Sequence, residues 1–223
     1  MSTSAASPDS DRGASELALI FAAERLFAEH GIAGVSLRQI NQAANQKNIS
    51  AAHYHFGSRE GLVYAVLNHR WPNLDRKRRA ILDRADGRND LRFYVQALID
   101  TLAEELQPRP EGNHFLRFVQ QYEVSMGFYE FARSISPAGV EIYDRIEALI
   151  YYLPEPVRKI RMRYLINLVH GVLATAEQQL ESGELGFADV ALLSSNLTDM
   201  VTAGLAAPLS SETIDELRGG PTE

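Results

Sequence analysis

The stretch SLRQINQAANQKNISAAHYHFGSR, residues 36–59, decides how this 223-residue chain is read. It opens on Ser36-Leu-Arg-Gln39, the S-x-x-Q form of a capping box, in which serine and glutamine satisfy backbone N–H groups at a helix start. A short helix over 37–44 follows. Asn48 is placed to cap a second short helix over 49–55, and Gly57-Ser58 stops that one and caps the next, which begins at Arg59. The turn between the two short helices is too tight to be a linker. Upstream, a helix from Glu16 to His30 puts Ile20, Ala23, Leu26 and Phe27 on one face, with Ser15 available as its cap and Gly31 placed to close it. Three helices arranged this way make a helix-turn-helix head, whose last short helix can enter a major groove. On that helix Ala52 and Phe56 are four apart and face inward, leaving Ser50, Ala51, His53 and Tyr54 outward as small and hydrogen-bonding groups.

Outward from the head the periodicity stays helical, and no segment alternates as a strand does. The expected fold is all-α: a three-helix head over 15–58 after a disordered tail 1–14, then a larger helical body over 59–218, about nine to ten helices in all. Helix four runs from Arg59 towards Arg84, and Pro72, lacking an N–H, predicts a kink or break within it. Further helices are expected near 90–106, 113–126, 137–153, 157–181 and 188–207, with a short one near Ile214.

Composition excludes several function classes. Without cysteine there is no disulfide scaffold, thiolate nucleophile or Cys-ligated metal. No apolar run reaches the roughly 18 residues of a membrane span, and the start lacks the pattern of a signal peptide, so a cytoplasmic location is expected. Residues 1–84 hold eleven Lys/Arg against eight Asp/Glu, while residues 85–223 hold eleven against twenty-one. A mildly basic head on an acidic body suits a chain that offers only its head to a polyanion. None of the six histidines forms an i,i+4 pair, and no Gly-rich phosphate loop or G-x-S-x-G is present. Neither an enzyme nor a metal or other cofactor is expected.

Ala22-Ala-Glu-Arg-Leu-Phe-Ala-Glu-His-Gly31, Val35-Ser-Leu-Arg-Gln-Ile40 and Tyr54-His-Phe-Gly-Ser-Arg-Glu-Gly-Leu62 together resemble the N-terminal domain of TetR-family transcriptional regulators over roughly residues 16–70. Leu197-Thr-Asp-Met-Val-Thr-Ala-Gly-Leu-Ala-Ala207 is faintly similar to the family's C-terminal helices. One departure is the turn Ala44-Asn-Gln-Lys-Asn48, a residue longer than is common, with His53 where a tyrosine usually stands. It leaves open which side chains read bases and whether Ile49 faces the groove or the core. By position and chemistry, Tyr54, His53, Ser36, Lys47 and Arg59 are expected on phosphates. Arg38, Gln39, Asn48, Ser50 and Ala51 are expected at base edges, and Arg12 in the tail could reach a minor groove.

In the body, Leu168, Gly171, Val172 and Thr175 on the penultimate long helix form a stripe, as do Leu193, Leu197, Met200, Val201 and Gly204 on the last. These stripes either pack into the chain's own core or meet a second copy; the resemblance favours a homodimer on a palindromic operator. The middle helices are rich in aromatics, among them Phe128, Tyr129 and Phe131, and the resemblance implies a small-molecule site there. The expected wall is Phe93, Phe118, Tyr122, Met126, Tyr151, Asn167 and His170, around a largely apolar effector whose binding releases a repressor from double-stranded DNA. The alternative is a helical adaptor that binds protein partners and uses the head only for packing.

Overall fold

The structure, a computed structural model, describes residues 8–48, 50–85, 87–126 and 135–219, and among these the side chains of 13–48, 50–85, 87–123 and 135–219. Ile49, Phe128, Tyr129 and Phe131 lie outside the described residues, and Arg12 and Met126 outside the described side chains. Among the described residues there are ten α-helices and no strand, as the periodicity predicts. They are α1 (Pro8–His30), α2 (Leu37–Ala43), α3 (Ala51–Phe56), α4 (Arg59–Asp83) and α5 (Leu91–Ala103). After these come α6 (Phe115–Met126), α7 (Pro137–Leu149), α8 (Glu155–Ser182), α9 (Val190–Ala206) and α10 (Ser211–Arg218).

Two boundaries differ from expectation. Residues 8–14, expected to be disordered, form the first turns of α1, so Ser15 sits within the helix and does not cap it. Pro8 is the first helical residue, where its fixed φ suits the start and its missing N–H would have no partner anyway. The other difference is that α4 continues through Pro72, so the break allowed for there does not occur. Leu67, Arg70, Trp71, Leu74 and Arg78 are all buried along one side, and their packing carries the helix past the carbonyl that proline leaves without a donor.

One continuous apolar core joins head and body. In the head, Ala23, Phe27, Ile40, Ala52 and Leu62 are fully covered. The body packs α5 against α7 and α9, and α6 against α8. The two parts meet through α4 and also directly, because α6 lies on α1, with Phe118 stacked on Phe27 at 6.0 Å between ring centroids.

Candidate nucleic-acid interface

The start of α2 forms as its sequence requires. The Ser36 hydroxyl accepts from the Gln39 N–H at 3.3 Å, and the Ser36 N–H donates to Gln39 Oε1 at 2.9 Å, completing the capping box. The longer turn is accommodated at Asn45, whose φ of 51° is a left-handed conformation that asparagine tolerates better than most residues. Asn48 Oδ1 then accepts the Ser50 N–H at 2.9 Å, and α3 starts at Ala51, two residues later than expected.

Three side chains to which the sequence reading gave no such role hold this unit in register. Asn41, 2% exposed, accepts the Ala52 N–H through Oδ1 at 2.9 Å and so ties α2 to the first turn of α3. Ser15 on α1 donates to Gln46 Oε1 at 2.7 Å, holding the turn against the first helix. The available signal was a polar residue, Asn41, beside Ile40 on the inward side of α2. Gly61 is also required: a Cβ there would lie 2.1 Å from the Phe56 carbonyl oxygen, where α3 and α4 approach closely.

The outer surface of α2, the turn and α3 presents Ser36, Arg38, Gln39, Lys47, Asn48, Ser50, His53 and Tyr54, all exposed, with Tyr54 at 68%. Ala51 does not join them. It is 6% exposed, because α3 sits in a corner formed by α1, α2 and α4 that covers two adjacent positions, Ala51 and Ala52. Arg59 is not a free cation either: its Nη1 donates to the Ala33 carbonyl at 3.1 Å and its Nη2 lies 3.7 Å from Glu60, bracing α4 against the loop before α2.

The basic character of the head is weaker than the charge count suggests. In the run Arg76–Arg79, Lys77 pairs with Glu104 at 2.7 Å and Arg79 with Glu141 at 2.9 Å. Arg78 is buried, donating to Thr101 Oγ1 and Ser136 Oγ. Arg70 is buried on Glu24. Of the eleven Lys/Arg in residues 1–84, Lys77, Arg78 and Arg79 therefore tie α4 to the body, and Arg70 ties it to α1. What remains outward on the short helices and their turn is Arg38 and Lys47, beside the hydroxyl, amide and imidazole groups.

Residues 19–66 match the pattern of the bacterial regulatory proteins of the tetR family. Over that stretch the chain is similar to that family. The matched stretch takes in the two short helices α2 and α3, their turn, and the parts of α1 and α4 that pack on them. Among solved structures the chain is similar to the probable transcriptional regulatory protein RHA5900, with a TM-score of 0.56 and 21% identity over 86% of this chain and all (100%) of that one. BioQ of Mycobacterium smegmatis superposes with a TM-score of 0.51 and 20% identity, covering 85% of this chain and 96% of that one. NalD of Pseudomonas aeruginosa, the secondary repressor of the MexAB-OprM multidrug efflux pump, gives 0.50 and 20% over 89% and 100%. At these identities the likeness is one of fold. No curated protein matches the chain. No single helix among the described residues is long and apolar enough to cross a membrane.

The body sorts the remaining candidates. Of the expected ligand wall, Phe118, Tyr122 and His170 are buried. Phe118 is spent on the contact with α1. Burial pushes the Tyr122 hydroxyl up to about 12, with Tyr64 adding to the shift, so it stays protonated. His170 Nδ1 contacts Glu123 Oε1. Tyr151 (77% exposed) and Asn167 face outward, and Phe93 is half-buried under Arg88, whose guanidinium lies 5.2 Å from its ring. These three are not brought together with the others. Tyr151 lies in the turn after α7, and Asn167 is exposed on α8.

The dimer stripe also divides. Leu197 and Val201 are 3% exposed and belong to the chain's own core, because α9 turns that side onto α5. Leu193, Gly171 and Val172 are half-buried. Leu168, Thr175, Met200 and Gly204 are exposed, as are Ile160, Tyr164 and Leu192 on the same two helices, and Tyr164, Leu168, Met200 and Gly204 form one apolar face across α8 and α9. A shallow groove of about 120 Å³ runs between Tyr164, Leu168, Met200 and Gly204.

Proposed function

We propose that the chain is a ligand-responsive repressor, acting in the cytoplasm as a homodimer on a palindromic operator. The observation that carries this reading is the pairing of a rigid helix-turn-helix, whose core is covered, with an outer face of exposed hydrogen-bonding side chains. Tyr54, His53, Ser36 and Lys47 bind phosphate oxygens, while Arg38, Gln39, Asn48 and Ser50 meet base edges. One head reads half a site. The exposed apolar face of α8 and α9 supplies the second copy, since contiguous apolar surface of this kind marks an interaction site. A small, largely apolar effector enters the body near Tyr122 and His170 and favours a conformation whose heads are wrongly spaced for half-sites about 34–36 Å apart.

The test is selection of duplexes from a random pool by the purified chain, followed by binding of the selected duplex across salt. A palindrome should emerge, and affinity should fall steeply between about 50 and 200 mM salt as condensed counterions compete. No retention of DNA at low salt would refute the reading and favour a helical adaptor.

A further inference from the structure

A buried polar chain runs from the head to the helix that carries the exposed apolar face, and the proposed reading of DNA by paired heads makes no use of it. At one end Glu24 of α1 and Arg70 of α4 form a bidentate pair, Nε to Oε2 at 2.9 Å and Nη2 to Oε1 at 3.0 Å, with both side chains almost fully covered. Glu24 Oε1 also accepts the His114 N–H at 3.4 Å, just before α6 begins. The His114 ring continues the chain: its Nδ1 accepts from Arg117 Nη2 at 2.7 Å. Burial and the neighbouring Arg117 lower the His114 pKa, which keeps the ring neutral and Nδ1 free to accept.

At the other end Glu177 of α8 caps α6 from outside. Its carboxylate accepts the Leu116 N–H at 2.9 Å, and its Oε2 accepts both the N–H and the Nε–H of Arg117 at 3.1 Å. A helix start leaves such N–H groups without partners of their own, so a buried carboxylate from another helix fixes both the position and the rotation of α6. Arg117 reaches Glu181 on α8 as well. Every link is polar and directional, unlike the apolar contacts around it, and each has a single good geometry.

We propose that Glu24–Arg70–His114–Arg117–Glu177 is a strut that sets the angle of the reading head to the α8–α9 face, with Glu177 as its remote positioning residue. The strut makes head spacing a property of how α8 holds α6. The inference rests on the DNA-reading head only for its consequence; the geometry it predicts is measured without DNA.

The chain has no native cysteine, so paired spin labels can be introduced cleanly at Gln42→Cys on α2 and Ser195→Cys on α9, both exposed positions. Labelled protein diluted with unlabelled protein reports the head-to-body distance within one chain. Wild type should give one narrow population. Glu177→Gln, which touches neither α1 nor the outer face of the head, should broaden or split it, and so should the paired change Glu24→Gln with Arg70→Met. A second readout is affinity for the selected duplex and for versions with one base pair added between half-sites. Wild type should lose affinity with the insertion and Glu177→Gln should lose that preference, with binding to a single half-site unchanged. A purely structural role would lower the melting temperature and leave both the distance distribution and the spacing preference as in wild type, and that result overturns the proposal. If Glu177→Gln fails to fold, Arg117→Lys, which keeps the charge but loses the fork, is measured in its place, and an unchanged distribution there counts equally against it. Failure to select any duplex refutes the DNA reading, while the distance measurement still decides the strut.

Discussion

Removing Arg70 should be among the most destabilising single changes in this protein. Its side chain is 3% exposed and that of Glu24 2%. Arg70→Met would leave the Glu24 carboxylate in the interior with the His114 N–H at 3.4 Å in place of two short guanidinium bonds. Breaking a buried pair by deleting one partner costs about 3–5 kcal/mol, because the remaining charge has neither water nor a counterion. In a chain of this size that corresponds to a fall of about 6–20 °C in melting temperature. Glu24→Gln should cost less, since Arg70 Nη1 keeps Glu111 at 3.8 Å. The two changes together remove both charges and should recover most of the loss, within about 1–2 kcal/mol of wild type. Urea unfolding of all four proteins at one protein concentration closes the cycle. A cost below about 1 kcal/mol for Arg70→Met, or a coupling below about 0.5 kcal/mol, would show that water reaches the pair and that it does not tie α1 to α4.

Three other outcomes are expected. Tyr54→Phe should leave stability within about 0.5 kcal/mol while weakening binding to all duplexes alike, and Arg38→Ala should also flatten preference at one base position; wild-type binding by both in a titration series contradicts the assigned face. Leu168→Glu should convert the proposed dimer to monomer in sedimentation without loss of helical signal, since Leu168 is 40% exposed and the change leaves the core intact. Burial raises the Glu177 carboxyl from 4.5 to about 7, against the Leu116 and Arg117 N–H groups that favour the charged form. The folded state therefore holds that proton more tightly than the unfolded chain does. Stability should fall as pH rises from about 4.5 to 7 and level off above, by up to about 3 kcal/mol. Glu177→Gln should lack that slope, and an identical pH profile for the variant would count against it.

Much of the head was legible because its determinants are local. A capping box needs only Ser36 and Gln39 three residues apart, and Gly57-Ser58 ends one helix and starts the next whatever surrounds them. The family match over 19–66 covers the same stretch. Where the reading erred, the deciding neighbour was distant in sequence. Ala51 looks outward-facing on a helical wheel, and only the corner made by α1, α2 and α4 covers it. Lys77, Arg78 and Arg79 count towards the basic balance of residues 1–84 until Glu104, Glu141, Thr101 and Ser136 are placed beside them.

By itself, then, the sequence determined that the chain is helical, where its head lies and which turns close it, because periodicity, caps and turn glycines act over a few residues. Tertiary structure alone decided which of the polar and apolar side chains are spent inside the chain and which stay free. Whether Leu197 or Leu168 is left to meet a partner depends on which side α5 and α6 cover, and whether Arg70 is a surface charge or a buried tie depends on a carboxylate 46 residues away. Contacts of that range are set by how helices stack, and spacing along one helix carries no record of it.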